Sequence, residues 1–102
     1  MYKIIETKKY QKIFNMIKEY LSGTTDAEAS EKFCNLYMDK FYELSDELEQ
    51  ELSQINFELL DELNLVCDSY EKNSQIRNED KYCIDEKSLR KKVNNIYNAL
   101  KN

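Results

Sequence analysis

The chain has 102 residues, 41% of them hydrophobic, with no His, no Pro, one Gly and a formal net charge of −5. That length suits one domain, and a domain of that size buries a little over ~60% of its unfolded surface, so its core is thin. The shortage of turn residues excludes a β-sandwich or barrel and leaves all-α, and no run approaches the ~18 apolar residues of a membrane span.

The N-terminal MYKIIETKKYQKIF holds Ile4 and Ile5 but neither a sustained apolar core nor a cleavage site, so no signal peptide is expected. The first helix runs through KKYQKIFNMIKEYL, where Tyr10, Ile13, Phe14, Ile17 and Leu21 recur at helical spacing. Gly23 follows, at the place where a left-handed cap forms most easily. Thr25 and Glu28 then have the spacing of a capping box, and a connection this short implies an antiparallel neighbour.

The second helix is expected in AEASEKFCNLYMDKFYEL, with Phe33, Tyr37, Phe41 and Leu44 on one face. Ser45 and Asp46 compete for local backbone groups and are expected to break or bend it. A third helix then carries Leu48, Leu52, Ile55, Leu59 and Leu63, at steps of four, three, four and four, and ends near Val66 to Asp68. Residues 69–81 are polar and aperiodic and read as a loop, with Tyr82 and Ile84 anchoring its far end. Asp85 is the expected N-cap of the last helix, whose stripe is Leu89, Val93, Ile96 and Leu100. The whole reads as one domain over residues 1–102, an antiparallel four-helix bundle.

Charge is segregated along this framework. Residues 1–23 carry five Lys against two Glu, or +3; residues 24–71 carry two Lys against fourteen acids, or −12; residues 72–102 carry eight basic against four acidic residues, or +4. Within the middle third, Phe41 to Glu71 hold ten acids and no Lys or Arg. On one continuous helix from 47 to 63, Glu47, Glu51, Gln54, Glu58 and Asp61 share a side next to the leucine stripe, with Glu62 at its border. Like charges four residues apart cost roughly 0.2–0.5 kcal/mol per pair. Charge runs usually just keep a face solvated, but such faces mix signs and this one does not. Carboxylates at regular spacing suit a basic partner, and the strongly basic sites of a cell are those that hold nucleic-acid phosphates.

Several chemistries lack their residues. Without His the commonest general base and the usual nucleophilic triads are missing. The spacing of Cys34, Cys67 and Cys83 fits no zinc pattern, and there is no glycine-rich phosphate loop and no calcium loop. No cofactor or metal and no enzymatic activity are expected. The acidic middle opposes direct nucleic-acid binding. An odd number of widely spaced cysteines without a secretion signal points to reduced, buried thiols in the cytoplasm.

The order of features resembles a known family. LSG closes a first helix, TTDAEASEKF opens acidically, a long acidic amphipathic segment runs into LNLVCDSYEKN, and YCIDEKSLRKKV follows a loop. The LVCDSYE turn and the YxIDExxLR start of the final helix carry most of the likeness. This is similar to the colicin D immunity family, which includes immunity proteins of contact-dependent growth inhibition systems, over roughly residues 13–100. The resemblance implies a small helical bundle made alongside a toxin. It would bind the C-terminal nuclease domain of that toxin, one to one, and block its active site. Toxins of this class cleave tRNA in basic clefts, where the inhibitor's acids stand in place of phosphates.

The candidate toxin-binding residues, chosen by helix geometry, are Glu47, Glu51, Glu58, Asp61, Glu62, Asp68, Tyr70 and Glu71. Tyr70 is the candidate aromatic anchor, tyrosine being a frequent hot-spot residue. A second reading is a helical adaptor or oligomerising bundle with no toxin partner, which would need an additional apolar face. A phosphate-mimicking inhibitor of a DNA-binding protein shares the physics of the first reading and differs in partner.

Overall fold

The computed structural model describes residues 8–24, 26–79 and 83–101. Among these residues five helices follow in order: α1 (Lys8–Ser22), α2 (Ala27–Glu51), α3 (Gln54–Ser69), the short α4 (Ser74–Glu79) and α5 (Glu86–Lys101). The expected all-α class holds. Around the core α1 packs on α2, α2 on α3, α3 on α5 and α5 on α1, and α2 also meets α5.

The stripes of the first and last helices fold as their spacing predicts. Tyr10, Ile13, Phe14 and Ile17 are buried, Leu21 is half-buried, and Tyr20 joins them; on α5, Leu89, Val93, Ile96 and Leu100 are all buried. Tyr20 stacks on Phe33 with ring centroids 4.5 Å apart, and its hydroxyl shares a 2.7 Å hydrogen bond with buried Ser30. Burial pushes the Tyr20 phenol above its ordinary value. At the other end of α1 the Tyr10 hydroxyl donates to Glu51. Asp85 caps α5, its carboxylate accepting from the Ser88 backbone N–H at 2.9 Å, and this bond holds the Asp85 carboxyl below the usual range.

The middle of the chain departs from expectation. Ser45 and Asp46 do not interrupt α2, which continues for 25 residues to Glu51. The Ser45 hydroxyl donates to the Tyr42 carbonyl at 3.3 Å, so its competing polar group is absorbed within the helix. The break falls at Leu52 and Ser53. Leu52 is extended, and Ser53 starts α3 by accepting from the Asn56 N–H at 3.2 Å. A single helix from 47 to 63 therefore does not exist. The break re-phases the stripe: Ile55, expected in the core, is 72% exposed, whereas Leu60 is fully buried with Leu63 and Cys67.

Smaller corrections concern the caps and the loop. No described glycine has a positive φ; Gly23 instead donates to the Glu19 carbonyl at 3.1 Å. Thr25 and Tyr82 lie outside the described residues, and Asp26 is the N-cap of α2, accepting from the Ala29 N–H at 2.8 Å. Part of the segment read as a loop is α4, whose first turn is held by the Asn73 side chain accepting from Gln75 N–H at 2.9 Å. The segment is tied at both ends. Ile84 N–H donates to the Ser69 carbonyl at 2.9 Å, and Glu71 N–H donates to the Ile84 carbonyl at 3.1 Å.

Two stability outcomes follow. Leu60→Ala is expected to cost about 2–5 kcal/mol in urea unfolding, while Ile55→Ala stays within about 0.5 kcal/mol; the continuous-helix reading predicts comparable losses. The depressed Asp85 carboxyl contributes stability above its unfolded value of about 3.9, and that contribution disappears as pH falls through the folded value. The advantage of the parent over Asp85→Asn, measured by unfolding at pH 7 and again near pH 3, is expected to shrink.

Candidate functional site

The outer surfaces of α2 and α3 are set by what these helices bury. α2 turns Phe33, Cys34, Tyr37, Phe41 and Leu48 inward. Asp39, Glu43, Asp46 and Glu47 are consequently exposed. α3 buries Leu60, Leu63 and Cys67, which leaves Glu58, Asp61, Glu62 and Asp68 exposed. No Lys or Arg lies on α3.

Three contacts lock the two helices in register. The Tyr37 hydroxyl donates to the Leu60 carbonyl at 2.7 Å, and the Phe41 and Phe57 rings lie 6.0 Å apart. The Cys34 and Cys67 side chains meet across the same seam; this hydrogen bond, with burial, drives the Cys67 thiol far above its ordinary range. Both cysteines are buried, Cys83 is half-buried, and none of the three is in a disulfide.

The predicted site residues separate into groups. Glu58, Asp61, Glu62 and Asp68 come together on α3. Gln54 donates to Glu58 at 3.2 Å, and Glu62 borders a shallow cleft with Leu59, Lys92, Asn95 and Ile96, beside a cation of α5. Glu47 and Glu51 belong to the last turns of α2, beyond the break, and Glu51 receives the Tyr10 hydroxyl. Asp68, Tyr70 and Glu71 line a second cleft between α2 and α3, with Glu31, Asn35, Met38 and Lys72. There Lys72 pairs with Glu31 at 3.0 Å.

Tyr70 is only partly accessible. Its hydroxyl lies 3.0 Å from a Glu86 carboxylate oxygen and 3.3 Å from the Ala27 carbonyl, so it joins the ends of α2, α3 and α5. Desolvation, then the Glu86 hydrogen bond, pushes its phenol upward. Glu86 also faces Arg77 at 3.7 Å, and Arg77 donates to the Glu71 carbonyl at 2.6 Å.

Spacing alone did not single out the exposed apolar residues of these helices: Leu36 at 51%, Tyr42 at 87%, Ile55 at 72% and Leu65 at 60%. Among the described residues no group of three or more Cys, Asp or Glu side chains is arranged to hold a metal ion, and no helix is long and apolar enough to cross a membrane.

An acidic outer surface on a small helical fold is suited to binding another protein. Residues 9–100 match a family described as bacterial self-protective colicin-like immunity. The chain belongs to that family. It is an immunity protein, of a class that neutralises a toxin without itself being an enzyme. Comparison with curated proteins and with solved structures gave no match.

Tyr70→Phe is expected to lower unfolding stability by about 0.5–1.5 kcal/mol, the net value of a typical hydrogen bond. Thermal or urea unfolding checks this, and an unchanged midpoint would show that the hydroxyl does not tie the helix ends together.

Proposed function

We propose that this immunity protein neutralises a nuclease toxin, of the tRNA-cleaving kind, by placing the outer face of α3 and the adjoining part of α2 against the toxin's basic cleft. The observation that carries the reading is the single sign of α3, where Glu58, Asp61, Glu62 and Asp68 are all exposed and the helix itself carries no Lys or Arg, the cations Lys72 and Lys92 standing beside its two edges. Such a surface loses little by facing cations and a great deal by facing anions. It therefore selects a phosphate-binding cleft and speeds encounter with it. The choice of tRNA rests on the family resemblance drawn from LVCDSYE and YxIDExxLR.

The partner is the toxin's C-terminal nuclease domain, bound one to one in the cytoplasm, as in contact-dependent growth inhibition. Glu58, Asp61, Glu62 and Asp68 form the centre of the contact. Glu47 and Glu51 extend it past the break, and Tyr70 and Glu71 bound it at the other end. The four long helices form an antiparallel bundle in this reading. Tyr10 meets Glu51 while Tyr20 meets Ser30, and Tyr37 meets Leu60 while Tyr70 meets Ala27, which supports opposed directions for α1 and α2 and for α2 and α3.

Glu58→Lys combined with Asp61→Lys is expected to keep the helical circular dichroism and abolish protection of toxin-exposed cells. A folded double variant that still protects fully would remove α3 from the contact. In calorimetry against the C-terminal domain of the adjacent toxin gene, a tight one-to-one complex is expected, weakening several-fold between low and high salt as exposed charges are screened.

A further inference from the structure

We propose that Tyr42 is the aromatic anchor of the toxin-facing surface, seated against a Lys- or Arg-rich patch of the partner; this rests on the function proposed above. Tyr42 is 87% exposed, more than Leu36, Ile55, Leu65 or Ile76. A phenol ring in water, on a helix whose neighbouring Phe41 is buried, leaves a large apolar area uncovered in a protein with a thin core.

The position of Tyr42 on α2 is decided by its row. One side of the helix faces α1, as Phe33 stacked on Tyr20 and Leu36 beside Met16 and Tyr20 show. The other side faces α3, where Asn35 and Met38 share a cleft with Cys67 and Asp68. Tyr42 follows Asn35 by seven residues and Met38 by four, which places it in that second row. It is therefore on the edge of α2 that borders α3. On its own helix Asp39 and Asp46 stand three and four residues away, and Glu49 seven. Across the seam, Phe41 against Phe57 and Tyr37 against Leu60 bring the exposed Asp61 edge of α3 to the same side. The nearby cation of α2, Lys40, is engaged by Glu43 at 3.0 Å.

Charge selects the occupant. A second copy of this chain would bring the same carboxylates to the face and be repelled, and an anionic membrane or nucleic acid would be repelled likewise. A basic protein surface is attracted, and its Arg or Lys side chains can lie over the face of the ring as well as pair with the surrounding acids. A rigid aromatic side chain within a charged rim has the make-up of an interface hot spot. Tyr70 fills that role less well, since its hydroxyl is already held between Glu86 and Ala27.

The test is calorimetry of Tyr42→Ala and Leu36→Ala against the catalytically silenced C-terminal domain of the adjacent toxin gene. Leu36 is the matched control, an exposed apolar residue on the α1 side of the same helix. Tyr42→Ala is expected to weaken binding by ~30-fold or more, as a hot-spot residue does, and Leu36→Ala to leave it within about twofold. Both should keep the parent's helical spectrum. If Tyr42→Ala binds like the parent while Glu58→Lys with Asp61→Lys does not, the anchor is wrong and the proposed function stands. If the parent protein fails to bind, both fall. Should Tyr42→Ala not fold, benzoylphenylalanine at position 42 replaces it: a photo-adduct with the toxin domain supports the anchor, and none overturns it.

Discussion

The hydroxyl of Tyr37 is the constraint on which the rest of this structure depends. Its side chain is fully buried, and its proton goes to the Leu60 carbonyl 2.7 Å away. A buried phenol without a partner costs roughly 1–3 kcal/mol. That is a large part of what a small domain has to spare. Only one register of α2 against α3 makes this bond, and the same register brings Phe41 to Phe57 and Cys34 to Cys67. Burial pushes the phenol well above its ordinary range. The spacing of the carboxylates outside is inherited from this seam.

How far the sequence reveals this depends on the element. The stripes of α1 and α5 were legible because each ends where its helix ends and no polar interruption competes with it. The α2–α3 junction was not. Leu48, Leu52, Ile55, Leu59 and Leu63 keep helical spacing straight across the break, and Leu52 is buried although it is not in a helix. Periodicity therefore continued where the backbone did not. The decisive residue was Ser53, whose N-cap role lacks the acidic fourth residue that would advertise it, Asn56 standing there instead. Ser45 and Asp46 looked the stronger stop and were absorbed by a long amphipathic helix. In the site, the exposed acids of α3 were readable from the helix turn. Tyr42 was not, because a tyrosine beside a core phenylalanine looks like core until the helix is rotated into place.

A surface of one sign works against folding, and the structure offsets it locally without neutralising it. Lys40 is held by Glu43, Lys72 by Glu31, and Lys92 shares a cleft with Glu62. Each lies at the margin of the acidic face. Its middle, on α3, is left uncompensated. Local departures from mixed surface charge of this kind are where functional surfaces are expected, and the proposed contact is placed there on that ground. The apolar centre, eighteen buried side chains among the described residues, carries the deficit.

The chain leaves the bundle at Tyr70 and re-joins it at Ile84, and these two residues pair with one another. Their pairing holds the two ends of the interval together. Doubling such an interval adds only about 0.6 kcal/mol of closure entropy. The interval around α4 is accordingly where a change of length costs this fold least, with Tyr37, Leu60 and the α2–α3 surface left in place.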